Sequence, residues 1–151
     1  MITQDRNGDA SSRRDRYARL HDECASRGLR MTPQREVLLK VLSETMGHPT
    51  ADDLVHGVRA FLPSVSHATV YRNVQELVRA GLIGTLERAG GAVQYEVNPD
   101  DHHHFVCRAC GGVWDVYLDD VELQLSGRHQ LRGFRIDRRE VQLHGLCDGC
   151  R

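Results

Sequence analysis

Two Cys-x-x-Cys pairs, Cys107–Cys110 and Cys147–Cys150, stand near the end of this 151-residue chain, and the triplet His102-His103-His104 precedes the first pair. A Cys-x-x-Cys turn supplies two thiolates in the geometry that tetrahedral zinc requires, so two such turns make a closed four-thiolate site. Its role is structural, because four thiolates leave no position open for substrate. Redox dithiols and disulfides use paired cysteines too, but a redox motif would not need two copies. The 36 residues between Cys110 and Cys147 exceed the gap of an ordinary zinc ribbon. The pairs would then tie a hairpin to the C-terminal end of the chain. Cys24 falls on the apolar stripe of an expected helix and reads as a buried thiol.

The histidines point to a second kind of site. In an extended segment side chains alternate faces, so His102 and His104 share one face while His103 and Cys107 share the other. The parity that aims Cys107 at zinc aims His102 and His104 away from it. Two histidines need carboxylates to hold a divalent ion, and Glu96 and Asp115 are candidates, with His48 a further one. A shell of nitrogen and oxygen suits ferrous iron, manganese, nickel or zinc. The competing readings are a solvated polar turn and an open non-haem iron enzyme site.

The elements that would position these groups follow from periodicity and capping signals. Residues 1–12 are polar and are expected to form a mobile tail. A helix from about Arg13 to Arg27 places Tyr17, Leu20 and Cys24 on one face and ends at Gly28. Thr32-Pro33 opens a second helix with Val37, Leu38, Val41 and Leu42 inward. Thr50 caps a third, beginning at Ala51-Asp52-Asp53, whose apolar face is Leu54, Val58 and Phe61 or Leu62. Ser66 caps a fourth with Val70, Val74, Leu77 and Val78 inward, closed by Gly81. His67, Thr69, Tyr71, Arg72, Gln75 and Arg79 are left outward, types that contact phosphates and base edges. Residues 82–86 and 93–97 predict a strand hairpin around Ala89-Gly90-Gly91. This order is that of a winged helix-turn-helix.

Asn98-Pro99-Asp100-Asp101 reads as a hinge. Beyond it, strands are expected over 103–107 and 113–118, an amphipathic helix over 119–131, and a last strand over 134–146. These 54 residues from Asn98 onward are few for a generous core and need a staple, a partner subunit, or both. Net charge is −1, and residues 1–97 carry 13 Lys/Arg against 12 Asp/Glu, so any DNA contact must come from a local cluster. No apolar run is long enough to cross a bilayer and no signal-peptide core opens the chain, which predicts a cytoplasmic protein with no membrane partner.

Five collinear motifs resemble the ferric uptake regulator family. They are Arg30-Met31-Thr32-Pro33-Gln34-Arg35, His48-Pro49-Thr50-Ala51-Asp52-Asp53, Ala68-Thr69-Val70-Tyr71-Arg72, the His102 to Gly111 segment, and Gly145-x-Cys147-x-x-Cys150. The resemblance implies an α+β fold: a winged-helix DNA-binding domain over 13–97, then a small α/β dimerisation and metal-binding domain over 98–151, stapled by zinc. It implies a non-enzymatic, metal-dependent repressor, a homodimer on an inverted-repeat DNA operator. Structural zinc falls on Cys107, Cys110, Cys147 and Cys150. The regulatory metal, Fe2+ or Mn2+ with Zn2+ or Ni2+ as alternatives, falls on His48, Glu96, His102, His104 and Asp115. Arg30, Thr69, Tyr71 and Arg72 take the DNA-contacting positions.

The spacing is most similar to the peroxide-sensing branch, which favours aspartate at Asp115 and in which iron-bound histidine is oxidised by peroxide. Glu96 departs from that branch's aspartate and points instead to plain metal-uptake regulation. An additional site of some members would fall on Asp101, His103, Glu122 and Arg139. Arginine cannot ligate, so that site is expected to be absent or rebuilt with His129 or His144.

Overall fold

A computed structural model describes residues 10–45, 47–86, 91–98, 102–117, 135 and 140–151. These divide into two compact units, one within Asp5–Pro99 and one within Asp100–Arg151.

The first unit holds helices α1 (Ala10–Ser26), α2 (Pro33–Glu44), α3 (Ala51–Arg59) and α4 (His67–Arg79), then strands β1 (Gly84–Leu86) and β2 (Gln94–Glu96). The expected caps set the helix starts. Thr32 accepts the Arg35 N–H ahead of Pro33, Ser66 accepts the Thr69 N–H, and Thr50 and Asp53 form a reciprocal capping box. The Thr50 hydroxyl and backbone N–H hold the Asp53 carboxyl below its usual range. The apolar stripes of the four helices meet with Ile83, Tyr95 and Val97 in one core. Gly57 lets α3 approach α2 closely, since a Cβ there would stand 2.7 Å from Val41 Cγ1. β1 and β2 pair antiparallel, Gly84 opposite Glu96, as a two-stranded wing.

Two expectations are corrected here. Helix α1 starts at Ala10, so residues 10–12 belong to it and not to a tail. Periodicity marks only where the apolar stripe begins, at Tyr17, while helix-favouring Ala10, Arg13 and Arg14 carry the helix further back. Of Phe61 and Leu62, only Leu62 packs on the core; Phe61 is exposed, with Lys40 Nζ 4.5 Å from its ring centroid.

In the second unit β3 (His103–Cys107) is the central strand, antiparallel to β4 (Val113–Val116) and parallel to β5 (Gln142–Gly145). A short 3-10 turn, Asp148–Cys150, follows. The hinge residues 99–101, the hairpin tip 87–90, and the expected helix over 119–131 lie outside the described residues, as do residues 1–9. So do residues 134 and 136–139 of the expected last strand, which is formed at its C-terminal part. Among the described residues, no helix is long and apolar enough to cross a membrane.

Candidate metal centres and nucleic-acid surface

The two Cys-x-x-Cys turns converge. Strand β3 delivers Cys107, whose carbonyl accepts the Gly111 N–H, and Gly111 turns the chain with φ 69° so that Cys110 faces back. β5 lies parallel to β3 with Gly145 opposite Cys107, which brings Cys147 and Cys150 alongside. All four Sγ atoms lie within 4.8 Å of one another, and Cys110 Sγ is 3.8 Å from Cys147 Sγ. Sulfurs held about 2.3 Å from a tetrahedral zinc are about 3.8 Å apart, so the donors fit that ion. No disulfide joins them. A single convergent cluster is not what two separate redox dithiols would give.

The charge state supports the same reading. Backbone N–H groups of Cys110 and Cys147 pull Cys107 down to about 6. Hydrogen bonds with the Cys147 and Cys110 sulfurs hold Cys150 protonated, up to about 12. A divalent cation is what lets four thiolates coexist at such separations. Cys24, by contrast, is fully buried in the helical core, and burial raises its thiol pKa.

The opposite face of β3 carries the histidines. His102 Nε2 lies 3.1 Å from His104 Nε2, with the rings edge to face. The register sets His104 opposite Asp115, so both side chains project to one side of the sheet. Asp115 Oδ1 is 3.7 Å from His102 Nε2 and 4.0 Å from His104 Nε2. His102 and His104 are buried. Two imidazole nitrogens and one carboxylate oxygen, clustered and withdrawn from water, are the donor chemistry of a divalent ion of the iron, manganese or zinc type.

The first unit brings together the other two candidates. Pro49 O accepts the Tyr95 N–H and Thr50 bridges Gln94, fixing the α2–α3 loop against β2. His48 Nε2 therefore reaches 2.7 Å from Glu96 Oε2, while Glu96 Oε1 accepts the Asn98 N–H.

Of the expected additional site, His103 and His144 are described; Asp101, Glu122, His129 and Arg139 lie outside the described residues. His144 pairs with Val106 and so projects to the side opposite His103. His103 Nδ1 accepts the Val141 N–H at 3.3 Å. His144 therefore does not rebuild a site around His103.

On α4, Tyr71 and Arg72 are exposed, and Arg30 is exposed at the turn before α2. Arg30, Gln34, Thr69 and Arg72 line a groove of about 590 Å³ between the start of α2 and α4. Thr69 is half-buried, its Oγ1 2.8 Å from Ser66 Oγ, and Gln75 donates to the Tyr95 hydroxyl, so these two are less available than an outward face implies. The groove floor holds a pair that sequence reasoning passed over. Arg35, buried, donates to the Arg30 carbonyl at 2.6 Å and forms an ion pair with Glu76 across α2 and α4. The signal was present: Arg35 shares the spacing of Leu38, Leu39 and Leu42 on the buried stripe, where a charge requires a partner. Glu140 was also missed; its Oε1 is 2.9 Å from His104 Nδ1.

The ferric uptake regulator family model matches residues 26–144. The chain belongs to the ferric uptake regulator family. Among relatives in this family, the peroxide operon regulator of Bacillus subtilis is 34% identical over 126 residues, covering 82% of this chain and 85% of its own. The solved Campylobacter jejuni peroxide stress regulator, 28% identical, superposes with a TM-score of 0.65 over 88% of this chain and 97% of its own. A zinc uptake regulator complexed with zinc and DNA, 25% identical, gives a TM-score of 0.62 over 91% of this chain and 94% of its own. These family relatives are named as regulators, not as enzymes.

Proposed function

We propose that this chain is a metal-dependent DNA-binding transcriptional repressor that works as a homodimer on an inverted-repeat operator in the cytoplasm. The observation that carries this is the separation of two donor sets on opposite faces of β3, one all sulfur and one all nitrogen and oxygen. Zinc on Cys107, Cys110, Cys147 and Cys150 holds the second unit folded. The regulatory ion, Fe2+ or Mn2+, takes His102, His104 and Asp115, with His48 and Glu96 as the ligands that the family pattern adds from the first unit. Such an ion supplies positive charge and fixed coordination geometry. The residues supply selectivity: a thiolate-free shell favours harder ions than the cysteine site does. Because the ligand set draws on both units, binding would couple metal occupancy to DNA affinity.

Arg30 and Arg72 are the phosphate and base-edge contacts, Tyr71 offers an exposed ring and hydroxyl on the same helix, and Thr69 contributes at the groove edge. The likeness to the B. subtilis and C. jejuni proteins and the carboxylate at Asp115 support peroxide as the signal. Glu96, longer by one methylene than the aspartate of peroxide-sensing members, favours a second reading, a plain metal-uptake regulator. One experiment separates them. An inverted-repeat duplex selected by the Mn2+-loaded protein from a random library is titrated with protein loaded with Fe2+, Mn2+ or no regulatory metal, each with and without peroxide. Peroxide sensing predicts metal-dependent binding, loss of binding for the Fe2+ form alone, and an added oxygen on the peptide carrying His102 and His104. Fe2+ protein that keeps its affinity leaves the plain metal regulator. Equal affinity without metal contradicts both.

A further inference from the structure

Neighbouring histidines on β3 are held by opposite hydrogen bonds. His103 Nδ1 faces the Val141 N–H, which can only donate, so Nδ1 accepts and a neutral His103 carries its proton on Nε2. His104 Nδ1 faces Glu140 Oε1 at 2.9 Å, and a carboxylate can only accept, so Nδ1 carries the proton and Nε2 keeps its lone pair. That lone pair points to His102 Nε2 and Asp115 Oδ1.

The register explains why one short segment serves both rings. Gln142 stands opposite His104 in the parallel pairing, so Glu140, two residues earlier, falls on the same side as His104, and Val141 falls on the side of His103. The His104 N–H bond to the Val141 carbonyl at 3.1 Å pins that alignment.

We infer that Glu140 is a positioning residue for the regulatory metal: it fixes His104 as the tautomer whose Nε2 carries the lone pair that an ion would take. Glu140 is not itself a ligand. This rests on the regulatory-metal reading above for its consequence, but the tautomer itself is a property of the protein before that metal is added. Carboxylate partners of this kind typically carry 10–100-fold in metal affinity.

The test uses the full-length, zinc-loaded protein without regulatory metal and reads histidine tautomers by long-range 1H–15N correlation, followed by Mn2+ titration. The wild type is expected to show His104 protonated on Nδ1 and His103 on Nε2. Glu140→Ala is expected to lose the His104 preference, keep that of His103 as a reporter of intact β3–β5 pairing, and bind Mn2+ about 10–100-fold more weakly. Glu140→Gln, whose amide oxygen still accepts, is expected to restore the tautomer and give intermediate affinity. The inference is overturned if Glu140→Ala leaves His104 on Nδ1, or if its Mn2+ affinity equals that of the wild type. A wild type with the expected tautomers that binds no Mn2+ would instead sink the regulatory-metal reading.

Discussion

The two units are held together by different physics. Among its described residues the helical unit buries sixteen side chains in one core, almost all aliphatic, with Tyr95 and Cys24 among them. In the second unit, the only buried hydrophobic residues among those described are Cys107 and Val116, and beside them stand three buried histidines. Apolar burial at roughly 25 cal/mol per Å2 stabilises the first without help. Among its described residues the second gathers cysteines and histidines at the buried positions, so what the cysteines bind contributes to its cohesion. A regulator gains from that division, because the part that answers to metal can respond while the part that meets DNA stays folded.

Cutting the cysteine cluster should break this contrast most sharply. Cys147→Ser, or strong chelation, is expected to remove more than about 5 kcal/mol from the second unit, given the ~10–16 kcal/mol with which zinc binds small structural sites. Amide exchange would show β3, β4 and β5 losing protection while α2–α4 keep theirs. Loss of both together would show that the units are not independently stabilised. Leu54→Ala tests the other side. Leu54 is fully buried in the helical core, and a cost of about 3 kcal/mol in denaturant melts is expected, with the zinc content unchanged.

Arg72→Ala should leave both units folded and weaken operator binding by about 1–3 kcal/mol, read by fluorescence anisotropy. A smaller effect comes from the α3 capping box. Thr50→Ala should cost about 1 kcal/mol at neutral pH. Since Thr50 lowers the Asp53 pKa in the fold, that contribution is present above the unfolded value of about 3.8 and fades as pH falls through the lower folded value. Wild type and Thr50→Ala melts should therefore converge as the pH falls below 3.8.

Much of this arrangement is legible in the sequence, for identifiable reasons. Thr32, Thr50 and Ser66 act within three residues, so their caps read directly from sequence. The two faces of β3 followed from strand alternation alone, and Asp115 followed because a short turn leaves few choices of pairing partner. Glu140 did not, because its approach to His104 depends on a parallel register 36 residues away that no local pattern encodes. The spacing of Arg35 marks it as a buried charge, but its partner Glu76, 41 residues away on a facing helix, is not encoded locally. The start of α1 was misjudged because an apolar stripe shows where a helix packs and not where it begins.

The central claim is that one strand serves two metals with separate tasks. His102→Ala tests it most directly, with zinc content and Mn2+-dependent operator affinity measured on the same preparation. The account predicts one zinc per chain retained, a second unit that stays folded, and operator affinity that no longer rises with Mn2+. Loss of the zinc with the histidine, or full Mn2+-dependent binding without it, would contradict the account.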